Sequence, residues 1–512
     1  MNKFIVFLLL LSVQLPAQDS LNMKRMAVLG GLGVDYNDVW GYRMGTKEFG
    51  VIGSNSAINI VDVTDCGNPV LVHQWVDGTS TIWRDFKEYG DYIYAVCDGG
   101  SGACNEGLQV INKNDFSQSQ SLAQFRSAHN IFVEKESGRL YAVGSNTNYH
   151  GIWIYDIKTD PANPTLLKDL RLRDVQNDPN GNYNIHDLYV LNDTAYCSHG
   201  YQGAKIWDLT DLNNVSLISD LDDSNGYNHS SWKHPNAPYL YVAEEVPIGK
   251  PIYVYDISDI TEPFTTHSFK DPLEAPDFTN NRPHNPFFVR ERLYISYYHD
   301  GLQVYDASEP ENPVRIAYYD TYDANNGNGY SGYEGAWGTY PFLPSGCILV
   351  SDISNGLNTL ELTITPDSDS KMPSNDIIID DATKGIVFRT PEDEYVRVQL
   401  NNQIELDYTD TASPPTDRVE FRNSNLNFTS NLNGIILKNP NGKYYRLGVD
   451  NAGSLELDLV TILPTNAIKL TSEDLFFSHI RGGVKMESPD GSCFIYTVGD
   501  NGVEEVTSID CD

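Results

Sequence analysis

The chain has 512 residues, a formal charge of −35 and a pI near 4.5. That balance excludes nucleic acid as a natural partner, because phosphate binding needs a basic surface, and it is compatible with calcium or with cationic partners. The length allows two to four domains; aromatic residues make up 11%, with 32 tyrosines, which suits strands, and long amphipathic helical stretches are hard to find.

Residues 1–17 carry Lys3, then the apolar run 4–13, then small Ala17. This is the pattern of a secretory signal peptide cleaved between Ala17 and Gln18. No later stretch holds the roughly 18 apolar residues of a membrane span, and no cysteine follows the cleavage point. The mature chain is therefore expected to be a soluble monomer without a transmembrane segment, secreted or held at the cell surface. Export permits disulfides among the seven cysteines. Cys97 and Cys104 flank a hairpin loop, and Cys493 and Cys511 are placed to pin the C-terminus. The odd count leaves at least one thiol free, and the connectivity does not follow from spacing. No CxxC pair suggests a zinc–thiolate site.

From residue 37 to 364 one pattern recurs seven times: three short strands, a turn, then a fourth strand. The stretch 127–156, SAHNIFVEKESGRLYAVGSNTNYHGIWIYD, is one such unit without its last strand. Units of 40 to 55 residues with four strands predict a seven-bladed β-propeller over 23–364, since radially stacked blades leave little edge exposed. The seventh unit lacks a fourth strand. The segment MKRMAVLG (23–30) resembles the last strand of the sixth unit and is expected to complete the seventh, closing the ring. The third strand repeatedly ends in aspartate: Asp62, Asp156, Asp208, Asp256 and Asp306. A turn with Thr, Ser, Asn or Pro follows, so these carboxylates are assigned to turn geometry.

The motifs NDVWGY (37–42), WRDFKEYGDYIYAV (83–96), SAHNIFVEKESGRLYAVGS (127–145) and GAWGTYPFLPSGCILVSDISNGL (335–357), with third strands such as IVDVTDCGNPV, resemble the choice-of-anchor B proteins and their LVIVD-type repeats. The resemblance covers roughly residues 27–364. It implies a secreted or surface β-propeller joined to a varied C-terminal attachment segment. The chain departs from that pattern at its end, where no sortase motif or terminal hydrophobic helix is present.

Residues 365–375 read as a polar linker. Beyond it, Gly385, Gly434 and Gly483 lie 49 residues apart, as do Pro391, Pro440 and Pro489. Each unit is a hairpin around a Pro-Asn-Gly-like turn, flanked by short apolar strands. Residues 376–512 are thus expected to form a pseudo-threefold β domain, a β-trefoil first and a small three-faced β-solenoid second, serving as a spacer or attachment module.

Aligning the units on Tyr94, Tyr141, Tyr196, Tyr241 and Tyr294 places Arg84, His129, His186, His229 and His284 at one position near the start of the first strand. Trp40 and Trp337 fall at or beside it in the first and seventh units. Asp85, Asn130, Asp187, Ser230 and Asn285 follow directly. In a propeller the first strand lines the channel, so these side chains should ring one mouth, joined on that face by Glu106, His150, His199 and His299 from the turns between second and third strands. Two uses of the ring compete. His129, His186, His229 and His284 are a metal-ligand set suited to Zn, Cu, Fe or Ni. Trp40, Arg84, Asp85, Asn130, Asp187 and Trp337 are a polar surface for an extracellular protein or glycan ligand. A third alternative is a scaffold whose histidines bond the neighbouring blade. No GxSxG elbow and no HExxH helix is present. DPNGN (178–182) and DANNGNG (323–329) have only the loose composition of calcium loops. The reading favoured is a binding protein with its ligand at the channel mouth, the alternatives being a metal-dependent extracellular enzyme and a structural scaffold.

Overall fold

The computed structural model describes residues 20–363, apart from 77–79, 100–103, 123, 222–225, 236, 272–281, 290–291 and 323–331; beyond 363 it describes mainly the strands. The signal-peptide assignment, DANNGNG and Cys511 lie outside the described residues.

Between Ser20 and Leu362 the strands form seven antiparallel sheets, each joining consecutive strands in order. Their innermost strands are Tyr36–Met44, Trp83–Tyr89, Asn130–Glu134, Asp187–Leu191, Tyr227–Lys233, Pro286–Val289 and Ala336–Tyr340, and the sheets are numbered 1 to 7 accordingly. Adjacent sheets touch through these inner strands, except that sheet 6 meets sheet 7 through its second strand, Arg292–Ser296, and sheet 7 returns to sheet 1 by contact of Ala336–Tyr340 with Tyr36–Met44. The arrangement is all-β and propeller-like. Met23–Leu29 supplies the fourth strand of sheet 7, pairing antiparallel with Gly356–Leu362. Ser20–Leu21 extends sheet 6 by pairing with Tyr318 and Tyr319.

The core is divided in the same way. Seven separate apolar clusters lie between neighbouring sheets. Successive side chains of a strand point to opposite faces. Leu140 and Ala142 therefore pack with sheet 2, while Tyr141 and Val143 pack with sheet 4. Both faces of each inner sheet are covered, which is why the strands read as continuous apolar runs such as YIYAVCD.

Each repeated third-strand aspartate closes a turn. The Oδ1 atoms of Asp62, Asp156, Asp208, Asp256 and Asp306 accept the N–H two residues on, at 2.7–3.1 Å. A bulge sits at one place in the third strand of the same five sheets, for example between Ile154 and Tyr155 and between Val254 and Tyr255. It sharpens the twist where the outer strand leaves.

Two bridges are present among residues 20–363. Cys97–Cys104 closes its hairpin loop, and Cys66–Cys347, 281 residues apart, ties sheet 1 to sheet 7. Cys197 is free and buried. Cys493 is disulfide-bonded.

The C-terminal strands form three five-stranded sheets. Each contains an antiparallel meander from one repeat, such as Val484–Glu487, Cys493–Val498 and Glu504–Ile509. To its first strand are added two strands from the other repeats, all three parallel: Leu426–Phe428 pairs with Val484–Glu487 and Ser370–Met372 with Leu426–Phe428. The same construction recurs around Ile435–Lys438 and Ile386–Arg389. This corrects two expectations. A β-trefoil pairs its strands antiparallel, whereas these cross-repeat ladders are parallel, closer to the three-faced alternative but with interleaved repeats. Residues 370–372, assigned to the linker, belong to a sheet. Ile379, Ile386, Val398, Leu437, Leu447, Val484 and Tyr496 form the shared core.

Candidate functional site: a polar cavity at the hub

A cavity of about 410 Å³ lies at the hub, lined from all seven sheets. Its walls come from the starts of the inner strands, where the chain turns in from the surface and polar side chains replace the apolar packing pairs. His129, His186, His229 and His284 all line it. They do not enclose one point. They form an arc of adjoining rings, tilted or edge-on to one another, whose centroids are 4.1, 4.3 and 4.0 Å apart in that order.

The hydrogen bonds assign the ring protons. Asp98 Oδ2 lies 3.0 Å from His129 Nδ1. The bond from His129 holds the Asp98 carboxyl below its usual range against the opposing effect of burial. Asp98 is thus an acceptor and His129 Nδ1 a donor. His129 Nε2 lies 3.3 Å from His186 Nε2, and His186 Nδ1 lies 3.0 Å from the Tyr227 hydroxyl. Both rings are committed to protein partners. His284 Nδ1 donates to the Trp337 carbonyl at 2.6 Å, leaving Nε2 as a lone-pair donor. His229 Nδ1 is buried with no hydrogen-bond partner. Burial, reinforced by neighbouring imidazoles, holds His186 and His229 well below the ordinary histidine range. Burial takes His284 down to about 3.

Carboxylates line the cavity as well, among them Asp38, Asp85 and Asp187. Asp85 Oδ2 accepts the Ile131 N–H of sheet 3 at 2.7 Å, and Oδ1 takes the Lys87 ammonium at 2.6 Å. Lys87 also lies 4.4 Å over the Trp40 ring. Burial alone would lower Lys87, but the Asp85 and Asp38 carboxylates raise it on balance. Burial pushes Asp187 up to about 7, with Asp85 adding to the shift and Lys87 opposing it. Burial and Asp85 likewise hold Asp38 well above its usual value. The Asp85→Asn variant is expected to lose about 2 kcal/mol of stability, because it replaces a charge-assisted bond to a buried ammonium; urea unfolding measures this.

Arg84, Asp85, Asn130, Asp187 and Trp337 line the cavity as the sequence places them. Trp40 does not. It packs edge-on against Tyr340 at 4.9 Å, and Asp38, two residues earlier, takes the lining position. The inner strand of sheet 1 carries a register shift between Tyr36 and Val39, close to that position. The turn histidines also fall outside the lining. His150 Nδ1 accepts the Tyr183 N–H, His199 Nε2 accepts the Trp207 indole N–H, and His299 packs on Tyr322. Asp178 of DPNGN accepts the Asn180 N–H within its own turn.

Sequence reasoning missed Asp98, Glu245 and Tyr298. All three stand four residues after an aligned tyrosine, Tyr94, Tyr241 and Tyr294, so a signal was present in the same alignment. Glu245 and Tyr298 line the cavity, and the Tyr298 hydroxyl donates to Glu245 Oε1 at 2.7 Å. Exposed aromatic rings gather at the rim. Trp83 and Tyr333 line the opening, and Tyr201 stands edge-on to Tyr227 at 4.9 Å.

No family model matches the chain, and no curated protein is similar to it. Among solved structures, the computationally designed protein Ika8 is 9% identical with a TM-score of 0.41, covering 66% of this chain and 99% of its own. The β-propeller domain of Cps50 (Swd1) from Myceliophteria thermophila is 10% identical with a TM-score of 0.47, covering 66% and 98%.

Proposed function

We propose that the chain is an exported, seven-bladed β-propeller binding protein of the choice-of-anchor B type, and that it holds an extracellular ligand in the hub cavity. The observation that carries this reading is a concave site of ligand size to which every sheet contributes. Such pockets combine apolar surface with a few placed polar groups. Here the polar groups are imidazole, guanidinium and carboxylate, and the aromatic lining includes exposed Trp83 and Tyr333. Aromatic faces over a hydroxyl-pairing floor suit a glycan. The bridges Cys66–Cys347 and Cys97–Cys104 suit an oxidising compartment and support export. Among the described residues no helix is long and apolar enough to cross a membrane. The chain acts as a monomer, and its C-terminal repeats serve as the attachment module.

The test is a glycan-array screen of untagged protein, followed by calorimetry on the best ligand. The Trp83→Ala/Tyr333→Ala variant should lose at least about tenfold in affinity with its melting temperature nearly unchanged, since both rings are exposed. Unchanged affinity would place the ligand elsewhere. Export is checked by N-terminal sequencing of the secreted protein, which should begin at Gln18.

A further inference from the structure

We infer that His229, Glu245 and His284 hold a divalent transition-metal ion, with a further coordination position open to the hub cavity. The inference rests on reading that cavity as the binding site, and it names a group that site would use. Among the described residues, these three are the set of potential ligands whose donor atoms all lie within 4.8 Å of one another. All three are at least nine-tenths buried, at 6%, 7% and 2% exposure.

Three independent features favour a cation here over a structural cluster. The first is tautomer. Donation from His284 Nδ1 to the Trp337 carbonyl fixes its proton and leaves Nε2 as the ligand atom, the outer-shell pattern of metal-bound histidine. The second is the carboxylate. The Tyr298 hydroxyl bonds Glu245 Oε1 and orients the group, leaving Oε2 for a ligand. The third is an orphan. His229 Nδ1 is buried without a partner, a state native proteins rarely leave unexplained. The other two imidazoles of the arc are excluded by the same reasoning, since His129 and His186 spend both ring nitrogens on Asp98, each other and Tyr227.

Two imidazoles and one carboxylate form a donor set used for zinc and for non-haem iron, with positions left for water or substrate. Bonds of about 2.1 Å set the edge of a tetrahedral site at about 3.4 Å. Donor atoms no more than 4.8 Å apart reach that by side-chain rotation of about an ångström. Asp85 and Asp187 line the same cavity.

The experiment uses untagged full-length protein, stripped with chelator and titrated with Zn²⁺ alone by calorimetry, then with Co²⁺ followed by visible absorption. One equivalent should bind, and Co²⁺ should show the intense d–d bands of a low-coordinate site. His284→Gln and Glu245→Gln should each weaken Zn²⁺ binding by at least about 100-fold. Tyr298→Phe, which keeps every ligand, should weaken it by about 10- to 100-fold. His129→Gln should leave it within about threefold. Melting temperatures of the metal-free variants separate misfolding from ligand loss, and Tyr298→Phe carries the test if a ligand variant does not fold. Absence of stoichiometric binding overturns the inference. So does a loss in His129→Gln equal to that in His284→Gln, which would place the ion on the arc instead. Because the probe is metal alone, either result is distinct from failure of the glycan test at Trp83 and Tyr333.

Discussion

The Cys66→Ser/Cys347→Ser variant should be less stable than the native chain by about 3 to 5 kcal/mol, the range for removing a cross-link that closes a very long loop. The bridge spans 281 residues and joins the turn after the third strand of sheet 1 to the residue just before the second strand of sheet 7, Ile348–Asp352. It therefore locks the seam where the two ends of the ring meet. The seam also includes the pairing of Met23–Leu29 with Gly356–Leu362, one apolar cluster containing Val39, Tyr340, Leu343 and Leu349, and hydrogen bonds from Ser345 to Glu48 and from Thr359 to the Cys66 carbonyl. Without the cross-link the unfolded chain regains the entropy of an open loop, and the seam is held by non-covalent contacts. The short Cys97–Cys104 loop, seven residues apart, restricts the unfolded chain far less, so Cys97→Ser/Cys104→Ser should cost only about 2 kcal/mol. Calorimetric melting of the two double variants compares them directly. Equal losses would show that ring closure does not depend on the long bridge.

The second large effect is on acid stability and centres on His199. Its ring is fully buried, with Nε2 accepting the Trp207 indole N–H at 3.3 Å. Burial, with smaller contributions from Lys205 and His150, lowers it from 6.5 to about 3. The folded value lies below the unfolded one, so between about pH 3 and 6.5 the unfolded chain binds a proton that the folded chain refuses. Stability from this group is fully present above about pH 6.5 and is lost as pH falls, at up to about 1.4 kcal/mol per pH unit. Protonation also removes the lone pair that accepts from Trp207. Asp187 and Asp352, raised by burial to about 7 and about 6, act in the opposite sense. Their folded values exceed the unfolded ones, so their contribution grows as pH falls from 7. The curve for the whole protein is a difference between these terms. Comparison with His199→Gln, whose amide oxygen can take the indole N–H, isolates the histidine. The variant should be the less acid-sensitive protein, gaining on the native chain by about 2 to 3 kcal/mol between pH 6.5 and 4.5. Parallel stability curves would sink the assignment.

Much of the hub was legible because its determinants are local. A histidine or arginine followed by a polar residue, ten or twelve positions before a strand tyrosine, places a polar pair at the start of an inner strand whatever the rest of the chain does. Arg84, Asp85, Asn130, Asp187 and the four histidines reach the cavity for that reason. The turn aspartates were equally legible, since each bonds an N–H two residues away. Trp40 failed because the lining position of sheet 1 is shifted to Asp38, two residues earlier. Such a shift is a property of strand pairing, not of composition.

By itself, then, the sequence determined the strands, the turns, their repetition, and which polar side chains stand at the inner strand ends. These depend on interactions within a few residues, encoded in alternation and turn chemistry. Only the tertiary structure decided what those side chains do together. The pairing of Cys66 with Cys347, the commitment of His129 and His186 to Asp98 and Tyr227, the convergence of Glu245 on His229 and His284, and the parallel ladders of the C-terminal repeats all join distant parts of the chain. Their geometry is set by how sheets pack and how strands register, and neither is written in any single stretch of residues.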